Sequence, residues 1–296
     1  LKIFLLVNEI SKKSRKTIIH SNHHYANIYS ILFKLILKKI NVICVERTCI
    51  YELSKYFSSK DFLKKNVIKF FVFLFYRYAD SVISNTIYTK KEILKFSRKN
   101  VFQVYPPSIK RILPFKKKIN RKTINIIWVG NLVLEKGLED LILSIPYINF
   151  KSNIFVLGDG KEYSKISKMF KYKNNKNVKV YFTKFIHDTS KYYRKSHILI
   201  NTSFFEGSNN SIVEAINHNL VIIASRTPGG NTELVKKSGF GVLYEKNNFR
   251  DLAEKLNYIV LRFDKFQKKI KKKNFFLKKF INVKSNKSTL KILKKI

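Results

Sequence analysis

Residues 205–215 read FEGSNNSIVEA and follow shortly after the apolar run ILIN at 198–201. The run predicts a buried strand, and a helix is predicted after it, so Glu206 stands at the carboxyl edge of a sheet. Glu214 falls in the first turn of that helix, and both carboxylates can therefore face one crevice. Carboxylates are good acceptors for sugar and ribose hydroxyls. Two simpler interpretations stay open: a capping box formed by Ser211 and Glu214, and a solvated loop position for Glu206.

Strands and helices alternate on both sides of this stretch. Apolar runs without polar alternation are typical of parallel strands covered on both faces, so the chain is predicted to be α/β with two Rossmann-like, doubly wound domains. Strands are predicted at 17–21, 42–45, 80–84, 101–104, 124–129, 154–157, 178–182, 198–201, 221–224 and 241–244. Helices are predicted at 1–10, 25–37, 57–78, 89–96, 137–146, 187–194, 211–217, 232–237 and 248–262, with a further one after 160.

The glycines and prolines divide the chain. The pair Pro106-Pro107 stops regular structure, and the basic stretch 110–122 is predicted to be an interdomain linker. All nine glycines lie between Gly130 and Gly241, which places the ligand-gripping turns in the second domain. The predicted boundaries are 1–115 for an incomplete first domain, 116–262 for a nucleotide-sugar-binding domain, and 263–296 for a basic helical tail.

Two turns carry glycine where a strand ends and a helix begins. The first, GNLVLEKG at 130–137, places Lys136 and backbone N–H groups at a helix start, which is a natural anion site. The second, TPGGN at 227–231, runs into a helix in the same way. Such an arrangement suits a diphosphate, and the carboxylate pair suits the sugars on either side of it.

Four segments together resemble the C-terminal half of the retaining nucleotide-sugar glycosyltransferases of family 4. They are WVGNLVLEKG at 128–137, GDG at 158–160, NTSFFEGSNNSIVEA at 201–215, and TPGGNTELV at 227–235 with the GFGVL that follows. The resemblance covers about 124–256, and more loosely 17–109. It implies the GT-B fold, in which two Rossmann-like domains face each other across a cleft. It also implies transfer of a hexose or N-acetylhexosamine from a UDP- or GDP-sugar to a glycan or lipid-linked acceptor, in cell-surface polysaccharide or glycolipid synthesis.

The resemblance assigns roles to particular residues. It implies that Glu214 binds the ribose, that Glu206 lies beside the donor sugar, and that Lys136 holds the diphosphate. The other predicted donor-binding positions are Gly130, Asn131, Gly207, Ser208, Asn210, Gly229, Gly230 and Asn231; Asn131 stands where the family often has Arg. Glu206, Lys136, Glu46 and Arg47 are predicted to be catalytic. No metal and no cofactor is expected, since the nucleotide sugar is a substrate.

In the first predicted domain, Glu46 and Arg47 follow a strand end. They are expected to face the donor phosphate or the acceptor, or else to form a local ion pair. His20, His23 and His24 also follow a strand; a catalytic or metal-binding role is one interpretation, and a surface loop is the expected one. The chain shows no glycine-rich opening strand and loop of the kind with which the family begins. A non-catalytic remnant of such an enzyme is therefore one alternative.

The charge is strongly positive. Sixty Lys and Arg stand against 19 Asp and Glu, for a net charge of +41, and only ten of the basic residues are Arg. Nucleic-acid readers rely on Arg for bidentate contacts, so nucleic acid is not the expected partner, although a basic nucleic-acid-binding protein stays as an alternative. An AT-rich genome, which raises Lys, Ile, Asn, Phe and Tyr together, is the main explanation.

A membrane surface is the second explanation of the charge. Residues 57–78 mix lysines with an aromatic run, which predicts a core helix or an interfacial helix lying on anionic lipid. Only Cys44 and Cys49 are present, which fits a reducing compartment. The expected protein is a cytoplasmic monomer in peripheral contact with the inner face of the membrane.

Overall fold

Short strands form two separate parallel sheets, and the central strands of both sheets are buried. The computed structural model describes residues 2–97, 100–116, 122–172 and 175–294. The chain divides into two units, one comprising Leu1–Pro106 with Ser285–Ile296 and the other comprising Pro107–Lys284. Each of the ten predicted strands is present, with its ends shifted by at most two residues.

The first unit has four parallel strands in the order β1-β2-β3-β4. They are β1 Thr17–Asn22, β2 Ile40–Glu46, β3 Ser81–Ser84 and β4 Val101–Gln103. The helices are α1 Lys2–Lys13, α2 His24–Leu37, α3 Ser59–Phe75 and α4 Ile87–Ile93, with 3-10 turns at Ile50–Ser54 and Tyr76–Tyr78. Side-chain caps begin two of the helices: the Ser58 hydroxyl accepts from the Asp61 N–H, and the Thr86 hydroxyl accepts from the Thr89 N–H.

The second unit has six parallel strands in the order β10-β9-β8-β5-β6-β7. They are β5 Ile124–Val129, β6 Ser152–Leu157, β7 Val178–Thr183, β8 Ile198–Asn201, β9 Val221–Ser225 and β10 Gly241–Tyr244. The helices are α5 Glu139–Ser144, α6 Tyr163–Tyr172, α7 Ser190–Lys195, α8 Asn210–Asn217, α9 Gly230–Ser238, α10 Phe249–Leu261, α11 Phe263–Ile270 and α12 Lys273–Leu277. A last helix, α13 Asn282–Leu293, begins in this unit and belongs to the first unit from Ser285 onward. Further 3-10 turns lie at Leu134–Lys136, Ile145–Tyr147 and Lys278–Phe280.

The basic stretch predicted as a linker is attached to the second unit as far as Pro114. The Asn217 side chain, at the end of α8, accepts from the Leu113 N–H at 2.9 Å and donates to the Arg111 carbonyl at 3.0 Å. The Asn219 amide donates to the Pro114 carbonyl at 3.4 Å. Polar backbone groups of 111–114 are thus satisfied by the second unit, and the division falls at Pro106 rather than at 115. Residues 117–121 of the predicted linker lie outside the described residues.

The predicted C-terminal tail is shared between the units. Helices α11 and α12 belong to the second unit, where Lys273 is buried and its ammonium lies 2.5 Å from the Asn217 carbonyl oxygen. From Ser285 onward the chain belongs to the first unit, where the Ser285 hydroxyl donates to the Tyr105 carbonyl at 2.7 Å. Ile292 packs there against Ile43 and other buried residues of the sheet. No helix within the described residues combines the length and the apolar character needed to cross a membrane.

Candidate functional site

The strand order of the second sheet reverses between β5 and β8. These strands are neighbours, yet β5 continues to β6 on one side and β8 continues to β9 on the other. The loops that leave their carboxyl ends therefore diverge and open a crevice, the usual ligand position in a doubly wound sheet. Lys136 lies in the connection after β5, and Glu206 lies in the connection after β8. The topology thus brings the two predicted catalytic residues of this unit to one place.

Lys136 and Glu206 form an ion pair at this crevice. The Lys136 Nζ lies 2.5 Å from the Glu206 Oε1, and the two side chains keep 28% and 15% of their surface exposed. Both groups are partly shielded from water, which strengthens their attraction relative to an exposed surface pair. The pair holds one cation and one acceptor within reach of a single ligand.

Lys136 does not lie at the start of an α-helix, which corrects the expectation from the sequence. Lys136 ends a 3-10 turn, and α5 begins only at Glu139. The first turn of α5 carries Glu139 and Asp140, and Asp140 accepts hydrogen bonds from the Tyr244 hydroxyl and the Asn247 N–H. The negative charge of these two carboxylates opposes an anion at the start of α5.

The loop after β8 touches the start of α9 backbone to backbone. Glu206 forms a parallel bridge with Gly229, and the Gly230 N–H donates to the Glu206 carbonyl at 2.9 Å. A Cβ placed on Gly230 would lie 1.6 Å from the Gly207 carbonyl oxygen, so only glycine permits this approach. Gly207, Gly229 and Gly230 therefore hold the main chain of Glu206 against α9.

A buried network of side-chain amides connects the ends of β8 and β9 to helices α8 and α9. The Asn231 amide donates to the Asn201 Oδ1 at 2.7 Å and to the Ser225 hydroxyl at 3.1 Å, and its oxygen accepts from the Asn209 amide at 3.0 Å. Asn209 in turn caps α8 by accepting from the Ser211 N–H. The fully buried Asn231 side chain is committed to the protein, so only its backbone remains for the predicted contact with the donor.

Asn201 and Asn209 were not among the predicted site residues. Asn is a favoured N-cap, and Asn209 precedes the apolar positions of α8, so a cap at this position could have been inferred from the sequence. Nothing local in the sequence indicates the pairing of Asn201 with Asn231, which joins the end of β8 to the start of α9.

Glu214 lies in the second turn of α8 rather than the first, because the helix begins at Asn210. The cap is Asn209, so the capping box of Ser211 and Glu214 does not form. Glu214 is half-buried, and the Tyr193 hydroxyl, which donates to the Ser211 carbonyl at 3.5 Å, lies close to its carboxylate. Burial raises the pKa of Glu214, and the nearby Tyr193 hydroxyl offsets part of that rise. The Tyr193 ring stacks on His218, with centroids 5.2 Å apart.

The remaining predicted donor-binding positions differ in accessibility. Asn131 and Asn210 are exposed, and the Asn210 Oδ1 accepts from the Ser108 hydroxyl at 2.8 Å. The Gly130 N–H is used by the sheet, donating to the Leu157 carbonyl at 3.1 Å. The Ser208 hydroxyl oxygen is buried and has no hydrogen-bond partner among the described residues.

The first unit buries Glu46 completely. Its carboxylate accepts from the Asn27 amide at 2.8 Å and from the Tyr76 hydroxyl, and its second oxygen lies 2.9 Å from the His24 Nδ1. This corrects the expectation that Glu46 faces a substrate, and the local ion pair is made with His24 instead of Arg47. A buried carboxylate needs several partners, and they come from α2 and from the turn after α3. Arg47 is exposed at the end of β2.

His24 does not lie in a surface loop. It is buried as the first residue of α2, and its Nε2 lies 3.5 Å from the Thr48 hydroxyl. Burial disfavours the imidazolium, but the attraction of Glu46 outweighs it, and the net effect is to raise the pKa of His24. Its neighbour His23 has φ 71° and ψ 152°, a backbone conformation that costs a non-glycine residue free energy. Within the described residues, no three His, Cys, Asp or Glu side chains gather as a metal site.

Comparison with known proteins identifies the family. The model for glycosyl transferases group 1 matches residues 109–275, more than half of the chain. An uncharacterized glycosyltransferase of Methanocaldococcus jannaschii, MJ1178, is 31% identical over 187 residues, covering 62% of this chain and 51% of that protein. The amylovoran biosynthesis glycosyltransferase AmsD of Erwinia amylovora is 28% identical over 242 residues, covering 78% and 63%. The chain thus spans about half the length of the curated relatives it matches.

The fold is similar to that of solved glycosyltransferases. The Anabaena protein Alr3699/HepE, solved with UDP-glucose, has a TM-score of 0.78 at 16% identity, covering 99% of this chain and 82% of that one. Two parallel-sheet units of this kind are the GT-B class of fold, as predicted from the sequence. The family match, the fold and the place of Lys136 and Glu206 at the switch point agree, and the chain belongs to the group 1 glycosyl transferases.

Proposed function

We propose that this chain carries the donor-binding half of a retaining glycosyltransferase. It would transfer a hexose or N-acetylhexosamine from a UDP- or GDP-sugar to a glycan or lipid-linked acceptor. The observation that carries the proposal is the Lys136–Glu206 pair at the switch point of the second sheet. The UDP-glucose bound by the similarly folded HepE and the polysaccharide role in the name of AmsD support the substrate classes.

The proposed chemistry uses the charges of Lys136 and Glu206, which pair with each other in the free site. Cleavage of the anomeric C–O bond places negative charge on the leaving diphosphate, and the Lys136 ammonium would stabilise it. The Glu206 carboxylate would accept hydrogen bonds from hydroxyls of the donor sugar. A bound donor therefore takes over both partners of the ion pair, with its diphosphate on the lysine and its sugar on the glutamate. Retention follows from the resemblance to family 4 and is checked by the anomeric configuration of the product in NMR spectra.

The nucleoside would be held from α8. In this proposal the half-buried Glu214 accepts hydrogen bonds from the ribose hydroxyls. The main chain from Gly207 to Ser208 and from Gly229 to Asn231 would border the sugar and phosphates. In the first unit, the exposed Arg47 would contact an anionic group of the acceptor or donor, while Glu46 holds His24 in place.

The test is nucleotide binding by titration calorimetry with UDP and with GDP. Glu214→Ala is expected to weaken binding of the preferred nucleotide at least tenfold, because each ribose hydroxyl bonded to a carboxylate contributes about 1.5–3 kcal/mol. The matched control is Glu254→Ala, an exposed glutamate on α10, which leaves the affinity unchanged. Equal affinity in wild type and Glu214→Ala would exclude Glu214 from the ribose site. The preference between UDP and GDP identifies the donor base.

We further propose that α3 rests on anionic lipid, which suits a lipid-linked acceptor. Only Ile68 and Val72 of this helix are buried, while Leu63 and Phe70 expose 68% and 62% of their surface. Lys60 and Lys64 are exposed on the same helix, so its exposed side is complementary to a negatively charged bilayer. The other two lysines are used by the protein: Lys65 pairs with Asp61, and Lys69 donates to the Ser54 hydroxyl. The face of α3 that carries Ile68 and Val72 packs in the core, as one interpretation predicted. The opposite, exposed face supports the interfacial interpretation.

Flotation with vesicles tests the membrane proposal. Vesicles containing phosphatidylglycerol are expected to carry the protein upward at low salt, and pure phosphatidylcholine vesicles are not. The double variant Leu63→Ser, Phe70→Ser is expected to lose most of the binding, since both substitutions lie on the exposed face and spare the core. Binding that is absent at low salt, or unchanged in the double variant, would refute a role for α3.

A further inference from the structure

We propose that Thr202 is a positioning residue for Lys136, and that Trp128 in turn positions Thr202. The proposal rests on the proposed function, because it assigns to these residues the placement of the group that would hold the donor diphosphate. Neither residue was singled out for a role by its sequence pattern.

The three residues form a chain of two hydrogen bonds. The Trp128 indole N–H donates to the Thr202 hydroxyl at 3.0 Å, and the Thr202 hydroxyl donates to the Lys136 carbonyl at 2.5 Å. Trp128 and Thr202 are both buried. Because the hydroxyl uses its proton on Lys136 and accepts from Trp128, it acts on the backbone of Lys136 and not on a ligand.

Two further contacts hold the 3-10 turn of Lys136 on the segment after β8. The Phe204 N–H donates to the Glu135 carbonyl at 2.8 Å. Gly137 lies so close that a Cβ there would be 2.6 Å from the Thr202 carbonyl oxygen and 2.7 Å from the Phe204 ring. The turn is therefore fixed by its main chain at Glu135, Lys136 and Gly137, all against residues 202–204.

This arrangement compensates for the flexibility of the lysine side chain. Lys has a flexible stem and loses rotamer freedom when its ammonium is held in one place. The Lys136 backbone is bonded to the segment that also carries Glu206. The two partners of the ion pair therefore keep a constant position relative to each other. A shift of the turn would move the ammonium relative to the carboxylate and to any phosphate placed between the two loops.

Thr202→Val removes the hydroxyl while keeping the shape of the side chain, and Thr202→Ser restores the hydroxyl. Thr202→Val is expected to weaken the binding of UDP or GDP about fivefold, the change that corresponds to loss of the hydrogen bond that holds the Lys136 carbonyl. The affinity for the matching monophosphate should stay within twofold, and Thr202→Ser should recover most of the loss. In a Lys136→Met background, Thr202→Val should have no further effect. The matched control is Thr183→Val at the end of β7, where the hydroxyl donates to the Val156 carbonyl at 3.4 Å.

A second measurement does not depend on nucleotide binding. Reductive methylation of lysines, quantified by mass spectrometry, should label Lys136 several times faster in Thr202→Val than in wild type. Lys165, which pairs with Glu139 on the surface, should be labelled equally in both. A wild type that binds no nucleotide would refute the proposed function and leave the labelling result to decide the role of Thr202. Unchanged labelling of Lys136, or equal loss of monophosphate and diphosphate affinity, would overturn the positioning role.

Discussion

Gly230→Ala should separate the loop of Glu206 from helix α9. A Cβ at this position would lie 1.6 Å from the Gly207 carbonyl oxygen, whereas real Cβ contacts essentially never fall below 3.0 Å. The two backbones must therefore move apart by at least about 1.4 Å. The atom in the way belongs to the main chain, so no side-chain rotation can relieve the overlap. The hydrogen bond from the Gly230 N–H to the Glu206 carbonyl, now 2.9 Å, is lost by such a movement.

The expected effect has two parts. Overpacking costs about 1–3 kcal/mol and the lost hydrogen bond about 1 kcal/mol, so the free energy of unfolding should fall by about 2–4 kcal/mol. Displacing Glu206 by more than an ångström should also lower turnover of the donor about 100-fold. Urea unfolding measures the first part, and release of nucleoside diphosphate from the donor sugar measures the second.

Gly239→Ala is the matched control, because Gly239 ends the same helix. A Cβ there meets nothing within 4 Å, and the only cost is a φ of +69°, which is about 1–2 kcal/mol for an L-residue. Gly239→Ala should therefore lose some stability and no turnover. If Gly230→Ala turns over donor as fast as Gly239→Ala does, the contact of Gly230 with Gly207 does not hold Glu206 in place.

Three other perturbations follow from buried polar groups. Lys273→Met should lower the free energy of unfolding by about 1–3 kcal/mol in urea, since it removes the donor to the Asn217 carbonyl and the Asn219 side chain; no loss would contradict this. The raised pKa of His24 means that stability from its imidazolium is complete below the unfolded pKa of about 6.5 and is lost as pH rises through the folded value. Urea unfolding at pH 6 and 8.5 should show that loss in wild type and a flatter profile in Glu46→Gln; identical profiles would contradict it. Glu214→Gln should raise the melting temperature at pH 7.5 but not at pH 4, because burial penalises the ionised carboxylate and raises its pKa; a gain at both pH values would point to another cause.

Much of the fold could be predicted because parallel strands covered on both faces are continuous apolar runs. Ile198–Asn201 and Val221–Ser225 are fully buried, and their sequences show that directly. The loops that carry Lys136 and Glu206 could also be predicted, because ligands bind to such a sheet at the carboxyl ends of its strands. The helix starts were less accurate: α8 begins at Asn210 because Asn209 supplies the cap, which moved Glu214 into the second turn.

The sequence by itself determined the two α/β units, their strands, and the residues that stand at the carboxyl edge of the second sheet. Only the tertiary structure decided which polar groups are partners. His24 with Glu46, Asn201 with Asn231, and Thr202 with Trp128 join residues that lie far apart in the chain. A buried polar group takes whatever donor or acceptor the packing of strands and helices brings near, and no local pattern records that choice. For the same reason the chain after Ser285 belongs to the first unit, although its composition resembles the basic tail before it.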